Sequence, residues 1–194
     1  MMLDKKAAIF EAGRKLFLLK GFKDISVLDI TKRAGVSVGT FYNYYTSKEK
    51  LFTDIYFREN EEAKRAIIDS VNLEDTPNAL ATKIMSKILD TLNSNLILKE
   101  WYNQDVAGEL EKAYSEEENK NDYFIYDFFK ELLKKWRAEG RIRSDIDDSN
   151  ILALFDSLIY LDTHKEEAGI GQYPQTMQLL VEFIIKGLTN FQKE

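Results

Sequence analysis

A short stretch of the chain carries side chains suited to a polyanion. Tyr42 and Tyr44 present hydroxyls that suit phosphate oxygens, and Thr40 can donate to a phosphate or touch a thymine methyl group. Lys48 opens a helix, where its own charge and the free N–H groups of the first turn both favour phosphate. Gly39 lets the backbone approach a base edge or a phosphate closely, and Val38 and Asn43 flank it on the same segment. Val38 offers a base no hydrogen bond, only contact with a thymine methyl. These are side chains for holding and reading double-stranded DNA rather than for catalysis.

Two short helices must position them. Ser26, Val27, Leu28 and Asp29 have the form of a capping box that starts one helix, and Gly35 suits the tight turn that ends it. Ser37 is a good cap for the next, expected to run from Ser37 to Tyr45. Ile30, Ala34, Val36 and Phe41 would form a small core between them. The N-terminal end of such a second helix is what a helix-turn-helix pushes into the major groove. A first helix over 4–20 precedes the pair. A fourth, from Lys48 to about Ser70, follows the cap signal at Thr46–Glu49.

The run Gly35-Val36-Ser37-Val38-Gly39-Thr40-Phe41-Tyr42-Asn43-Tyr44-Tyr45-Thr46-Ser47-Lys48-Glu49-Lys50-Leu51 resembles the N-terminal signature of the TetR family of bacterial regulators. Ala12-Gly13-Arg14-Lys15-Leu16-Phe17 and Gly21-Phe22 resemble that family's first helix and its exit, so the likeness covers about residues 7 to 52. Three positions depart from the common pattern: Thr31 stands in place of alanine, Val38 in place of a polar or basic residue, and Tyr45 in place of phenylalanine. The resemblance, together with the spacing, places DNA contacts at Ser26, Val27, Ser37, Val38, Gly39, Thr40, Tyr42, Asn43, Tyr44 and Lys48.

The rest of the composition agrees. The 194 residues include no cysteine, two prolines and nine glycines, so disulfides, thiolate metal sites and cysteine nucleophiles are excluded. Apolar residues recur at helical spacing almost throughout, which predicts an all-α chain of about nine helices. Helices are expected over about 78–98, 123–139, 148–165 and 174–191, with one or two shorter ones between 101 and 114. The net charge is -6, but residues 1–50 carry +5 and the remainder -11. A basic head on an acidic body suits a polyanion partner for the head alone. We expect a DNA-binding domain over 1–47 and a helical ligand-binding and dimerisation domain over 48–194.

Nothing beyond Phe52 has the pattern of a catalytic site. His164 is the only histidine, Glu116-Glu117-Glu118 suits a solvated run, and Asp145, Asp147 and Asp148 suit helix capping. We expect no enzyme activity, no metal and no cofactor. The N-terminus lacks the apolar core and cleavage site of a signal peptide, and no apolar run approaches the roughly 20 residues of a membrane span. A cytoplasmic location fits.

The resemblance implies that the body binds a small-molecule effector and forms the homodimer. Surplus aromatics point to Trp101, Tyr102, Tyr126 and Phe129 as pocket residues. Apolar stripes on the last two helices point to Leu154, Leu158, Leu161, Leu180, Ile184 and Leu188 as the dimer face. Ile159, Leu179 and Ile185 lie off those stripes and leave apolar surface for a second partner. The expected function is a ligand-responsive regulator of the repressor kind on a near-palindromic operator. Control by a protein partner, or a helical carrier or enzyme without DNA function, are the alternatives.

Overall fold

The computed structural model describes residues 4–103, 106, 108, 110, 112–113, 123–164 and 175–190. All regular structure among the described residues is helical, as the periodicity predicts. The helices are α1 (Lys5–Lys20), α2 (Val27–Ala34), α3 (Val38–Tyr42), α4 (Lys48–Asp69), α5 (Pro77–Ser94) and α6 (Leu96–Lys99). A 3₁₀ turn (Glu100–Tyr102) follows, then α7 (Tyr123–Ala138), α8 (Asp148–Thr163) and α9 (Gln175–Thr189). The chain forms two compact units, each assembled from separate segments. A head combines Met1–Arg65 with Leu89–Ala113, and a body combines Ala66–Ile88 with Tyr114–Glu194.

The head is organised around α1. Asp4 caps it, accepting from the Lys6 N–H at 3.0 Å. Ile9, Ala12, Gly13 and Phe17 fall on its buried face at helical spacing. Gly13 matters for packing: a Cβ there would stand 2.9 Å from Leu51 Cδ2 and 3.2 Å from Ile55 Cδ1 of α4. The absent side chain sets how closely α1 and α4 approach. Beside it, Phe17 and Phe22 stack and both meet Phe52 edge-on, with ring centroids 4.9 to 6.0 Å apart.

Polar ties complete the head. Glu59 is 6% exposed and accepts from Arg14 Nε and, at 2.8 Å, from Asn95 Nδ2. A buried carboxylate is stable only when so paired. Asn95 also breaks the single helix expected over 78–98, because its side chain accepts from the Ile97 and Leu98 N–H groups and caps α6. Glu100 then accepts from the Phe22 N–H at 3.0 Å, which anchors the exit of α1.

The body has its own core of Leu80, Leu132, Leu133, Trp136, Ile142, Ile151, Ile185 and Leu188. Each such aliphatic side chain stabilises by roughly 1.5–3 kcal/mol when fully buried. Three arginines hold the surrounding loops. Arg137 donates to the Ile146 carbonyl at 2.7 Å and pairs with Asp148. Arg141 donates to the Asp75 carbonyl at 2.8 Å, and Arg143 pairs with Asp145. Asp145 and Asp148 are therefore partners of arginines. Asp147 takes the N-cap position of α8, though its side chain makes no capping bond.

Candidate nucleic-acid interface and ligand cavity

The capping box of α2 is present in full. The Ser26 N–H donates to Asp29 Oδ2 at 2.9 Å, and the Asp29 N–H donates to Ser26 Oγ at 3.2 Å. Hydrogen bonds from the Ser26 hydroxyl and backbone hold the Asp29 carboxyl below the usual carboxylate range. Gly35, at φ 68° and ψ 33°, makes the left-handed turn that would strain any other side chain. Ser37 caps α3, its Oγ accepting from the Thr40 N–H at 3.1 Å. Beneath both helices lie Ile30 and Phe41, fully buried. Thr31 is buried as well, and its hydroxyl donates back to the Leu28 carbonyl at 3.1 Å. That local bond lets threonine stand where alanine is commoner.

This frame turns a row of side chains outward. Ser26, Ser37, Val38, Gly39, Tyr42, Asn43 and Tyr44 are exposed, and Val27 and Thr40 are half-buried. Leu28, Lys32 and Arg33 of α2 are exposed too and were not among the sequence candidates. The two cations were legible as charge on a helix end. At Gly39 a Cβ would meet nothing closer than Ser37 Oγ at 3.9 Å, so no contact inside the head requires glycine. The reading helix is shorter than the expected Ser37–Tyr45. Its last turn tightens as the Tyr44 and Tyr45 N–H groups both donate to the Phe41 carbonyl, at 2.9 and 3.0 Å, and Tyr45 turns inward to 3% exposure.

Lys48 is engaged differently from its sequence reading as a free cation. Its Nζ donates to the Phe22 and Ile25 carbonyls, at 3.0 and 2.9 Å, and sits 3.8 Å from the centroid of the Phe22 ring. Burial pushes its pKa down, although Glu49 and Glu100 oppose this. Two of its three protons hold the loop that leads into α2. Sequence spacing could not show this, because the carbonyls lie more than twenty positions upstream.

The body contains a cavity of about 150 Å³ lined by four of its helical segments. Leu80, Ala81, Ile84, Met85 and Ile88 come from α5, and Phe129, Leu132 and Trp136 from α7. Phe155, Leu158 and Ile159 come from α8, and Val181 and Ile185 from α9. Phe129 and Phe155 stack nearly parallel, with centroids 5.0 Å apart.

Of the four pocket residues expected from sequence, Phe129 lines this cavity. Trp101 does not: it is buried in the head and stacks on Tyr56 at 5.7 Å. Tyr126 is 38% exposed and absent from the lining. The Tyr102 side chain lies outside the described residues. Aromatic enrichment signalled burial, but it could not say in which unit.

The residues expected at the dimer face differ in exposure. Leu158 and Leu188 are buried in the body, and Ile184 packs against its core, so these three face inward. Leu161 and Leu180 are half-buried. The apolar side chains exposed on α8 and α9 are Leu154, Tyr160, Leu179 and Phe183. Of the three residues expected off the stripes, only Leu179 is exposed; Ile185 is core and Ile159 lines the cavity. Periodicity defines a stripe but not which stripe meets its own core.

A capped helix-turn-helix, with its second helix presenting donors outward, defines the head as the DNA-binding part of a transcription regulator. A family model for bacterial regulatory proteins of the tetR family matches residues 9–55. The HTH-type transcriptional regulator YfiR of Bacillus subtilis is 23% identical over 199 residues, covering 94% of this chain and 92% of its own. Thermus thermophilus FadR, a TetR-family transcriptional repressor solved with lauroyl-CoA, shares the fold at a TM-score of 0.55 and 21% identity, covering 97% of this chain and 96% of its own. RolR, solved with resorcinol, does so at 0.62 and 17%, covering 95% and 87%. Residues 9–55 match the DNA-binding helix-turn-helix of the tetR family, and the chain is a transcriptional regulator, similar over most of its length to another HTH-type regulator. Among the described residues no helix is long and apolar enough to cross a membrane.

Proposed function

We propose that this regulator is a cytoplasmic repressor that binds a near-palindromic operator as a homodimer and is released by a small molecule held in the body. The observation that carries the DNA reading is the outward row on α3 above the buried Ile30–Phe41 pair. Tyr42 and Tyr44 hold phosphates and supply affinity, while Val38, Gly39, Thr40 and Asn43 approach the bases, with help from Val27. The open space at Gly39 supports this, since a closely approaching partner gives glycine a use that the head's packing does not. Ser26 and Ser37 contribute mainly by fixing the helix starts. Lys48 acts through the orientation of the loop before α2 and through the N–H groups at the start of α4.

The cavity favours a small effector over a protein partner. Residues 77–88 of α5 belong to the body and 89–94 to the head, so a ligand against Leu80, Ile84 and Ile88 acts on a helix common to both. To release DNA, the ligand must bind one arrangement of the heads more tightly than the other.

Selection of DNA from a random pool tests the reading. Enrichment of a palindrome with half-sites about one helical turn apart is expected. Failure to enrich any two-fold site overturns it.

A further inference from the structure

We propose that Glu100 is a positioning residue for DNA reading: its carboxylate holds the exit of α1 and so fixes where α2 and α3 sit on the head. This rests on the reading of α2 and α3 as the elements that face DNA. Glu100 lies outside the matched residues 9–55 and 78 positions beyond Phe22. Its Oε1 accepts from the Phe22 N–H at 3.0 Å, and its Oε2 accepts from Asn103 Nδ2. Gly21 makes room for the carboxylate. A Cβ there would stand 3.0 Å from Glu100 Oε1, and the φ of 74° would strain a side chain besides.

The Phe22 backbone is thereby held at both of its polar groups. Glu100 takes the N–H, and Lys48 Nζ donates to the carbonyl at 3.0 Å. Lys48 also holds the Ile25 carbonyl, one residue before the Ser26 cap that starts α2. The bonds of Ser26 with Asp29 and of Ser37 with Thr40 shape each helix from within. Residues 21–25 tie the pair to α1. Glu100 offers a fixed point for that tie, because its own surroundings are locked. Ile97, Leu98 and Trp101 are buried, Trp101 stacks on Tyr56 of α4, and Asn95, the cap of α6, donates to Glu59 of α4. A hydrogen bond to a carboxylate is among the stronger kinds, and an N–H that loses its acceptor is costly. Loss of Glu100 therefore loosens the loop without altering a residue that faces DNA. Phosphate attraction acts over a distance and tolerates a shifted pose, whereas base contacts need side chains at set positions. Specific binding thus depends on Glu100 more than non-specific binding does.

The test compares Glu100→Ala, Glu100→Gln and Glu100→Asp in the full chain. Glutamine keeps the reach and an acceptor oxygen but loses the charge. Aspartate keeps the charge but falls one methylene short of the Phe22 N–H. Anisotropy titrations at one salt concentration measure affinity for the palindrome selected from the random pool and for an unrelated duplex of equal length. The Ala and Asp variants should lose about tenfold on the palindrome and less than about threefold on the unrelated duplex. The Gln variant should stay within about threefold of the parent on both. A second readout needs no DNA: amide exchange at Phe22 should be about tenfold faster in the Ala and Asp variants and near the parent rate in the Gln variant. If the Ala variant does not fold, the Gln and Asp pair decides alone. Equal losses on the two duplexes, rescue by aspartate but not by glutamine, or unchanged exchange at Phe22 in the Ala and Asp variants overturns the role of Glu100. A parent protein that selects no palindrome sinks the underlying reading of α2 and α3. A parent that selects one, with variants that bind it unaltered, sinks Glu100 alone.

Discussion

Head and body are built in opposite ways. In the head, polar side chains stand at the surface and local hydrogen bonds hold them there: Ser26 with Asp29, and Ser37 with Thr40. In the body, polar side chains lie at the loops, where Arg137, Arg141 and Arg143 tie carbonyls and carboxylates, and the interior keeps an apolar hollow. A highly charged polymer is met by donors that remain hydrated until contact. A small apolar molecule is met by a shape from which water gains little. The first needs side chains fixed over a few residues. The second needs walls brought together from positions more than a hundred residues apart.

The contrast can be broken most severely at Phe41, which is fully buried beneath the reading helix. Phe41→Ala should cost about 3–5 kcal/mol and abolish operator binding with it. Urea denaturation measures the first and a binding titration the second. A stable variant that still binds DNA would mean that the outward row does not depend on its core. Next comes the outer face of α9. Phe183 is 62% exposed, so Phe183→Glu should leave the unfolding midpoint of the body nearly unchanged. If this face pairs two copies, the dimer dissociation constant should rise about thirtyfold, the effect of a ~2 kcal/mol hot spot. Sedimentation at graded concentrations would detect it, and an unaltered dimer would place the interface elsewhere.

Smaller effects sharpen the head's side of the comparison. Tyr42→Phe should weaken operator binding about tenfold, equally for matched and mismatched sequences, because a phosphate contact carries no base information. Anisotropy titrations at one fixed salt concentration are the measure. A change in base preference would move Tyr42 among the specificity residues. The last and smallest concerns Tyr45. Burial, assisted by Asp54 and Asp4, pushes its pKa up to about 12 from 10. A raised pKa means that the folded state holds the proton more tightly, so this contribution is complete below pH 10 and is lost as pH rises toward 12. Tyr45→Phe should therefore lose less stability than the parent between pH 10 and 12, as denaturation at each pH would show.

How much was legible follows the same division. The starts of α2 and α3 were readable because a cap is decided by residues three apart. The all-helical class was readable because a 3.6-residue period is a local property of the chain. The end of α3 was not readable, because Tyr45 turns inward to join Phe41. Nor were Glu59 and Asn95, whose pairing crosses more than thirty residues. Tyr160, Leu179 and Phe183 differ from Leu158 and Leu188 only in which side of a helix meets the core, and both sides are apolar.

The capped helix-turn-helix was legible in the order of residues alone: a hydroxyl cap and a turn glycine at set spacing need no distant partner to be recognised. Tertiary packing decided that the Lys48 ammonium is held by two carbonyls, that Trp101 belongs to the head, and that Trp136 and Phe129 line one apolar cavity. The physical reason is the range of the interactions. Caps and turns are satisfied within a few residues, whereas a cavity exists only where helices distant in the chain fail to fill the space between them.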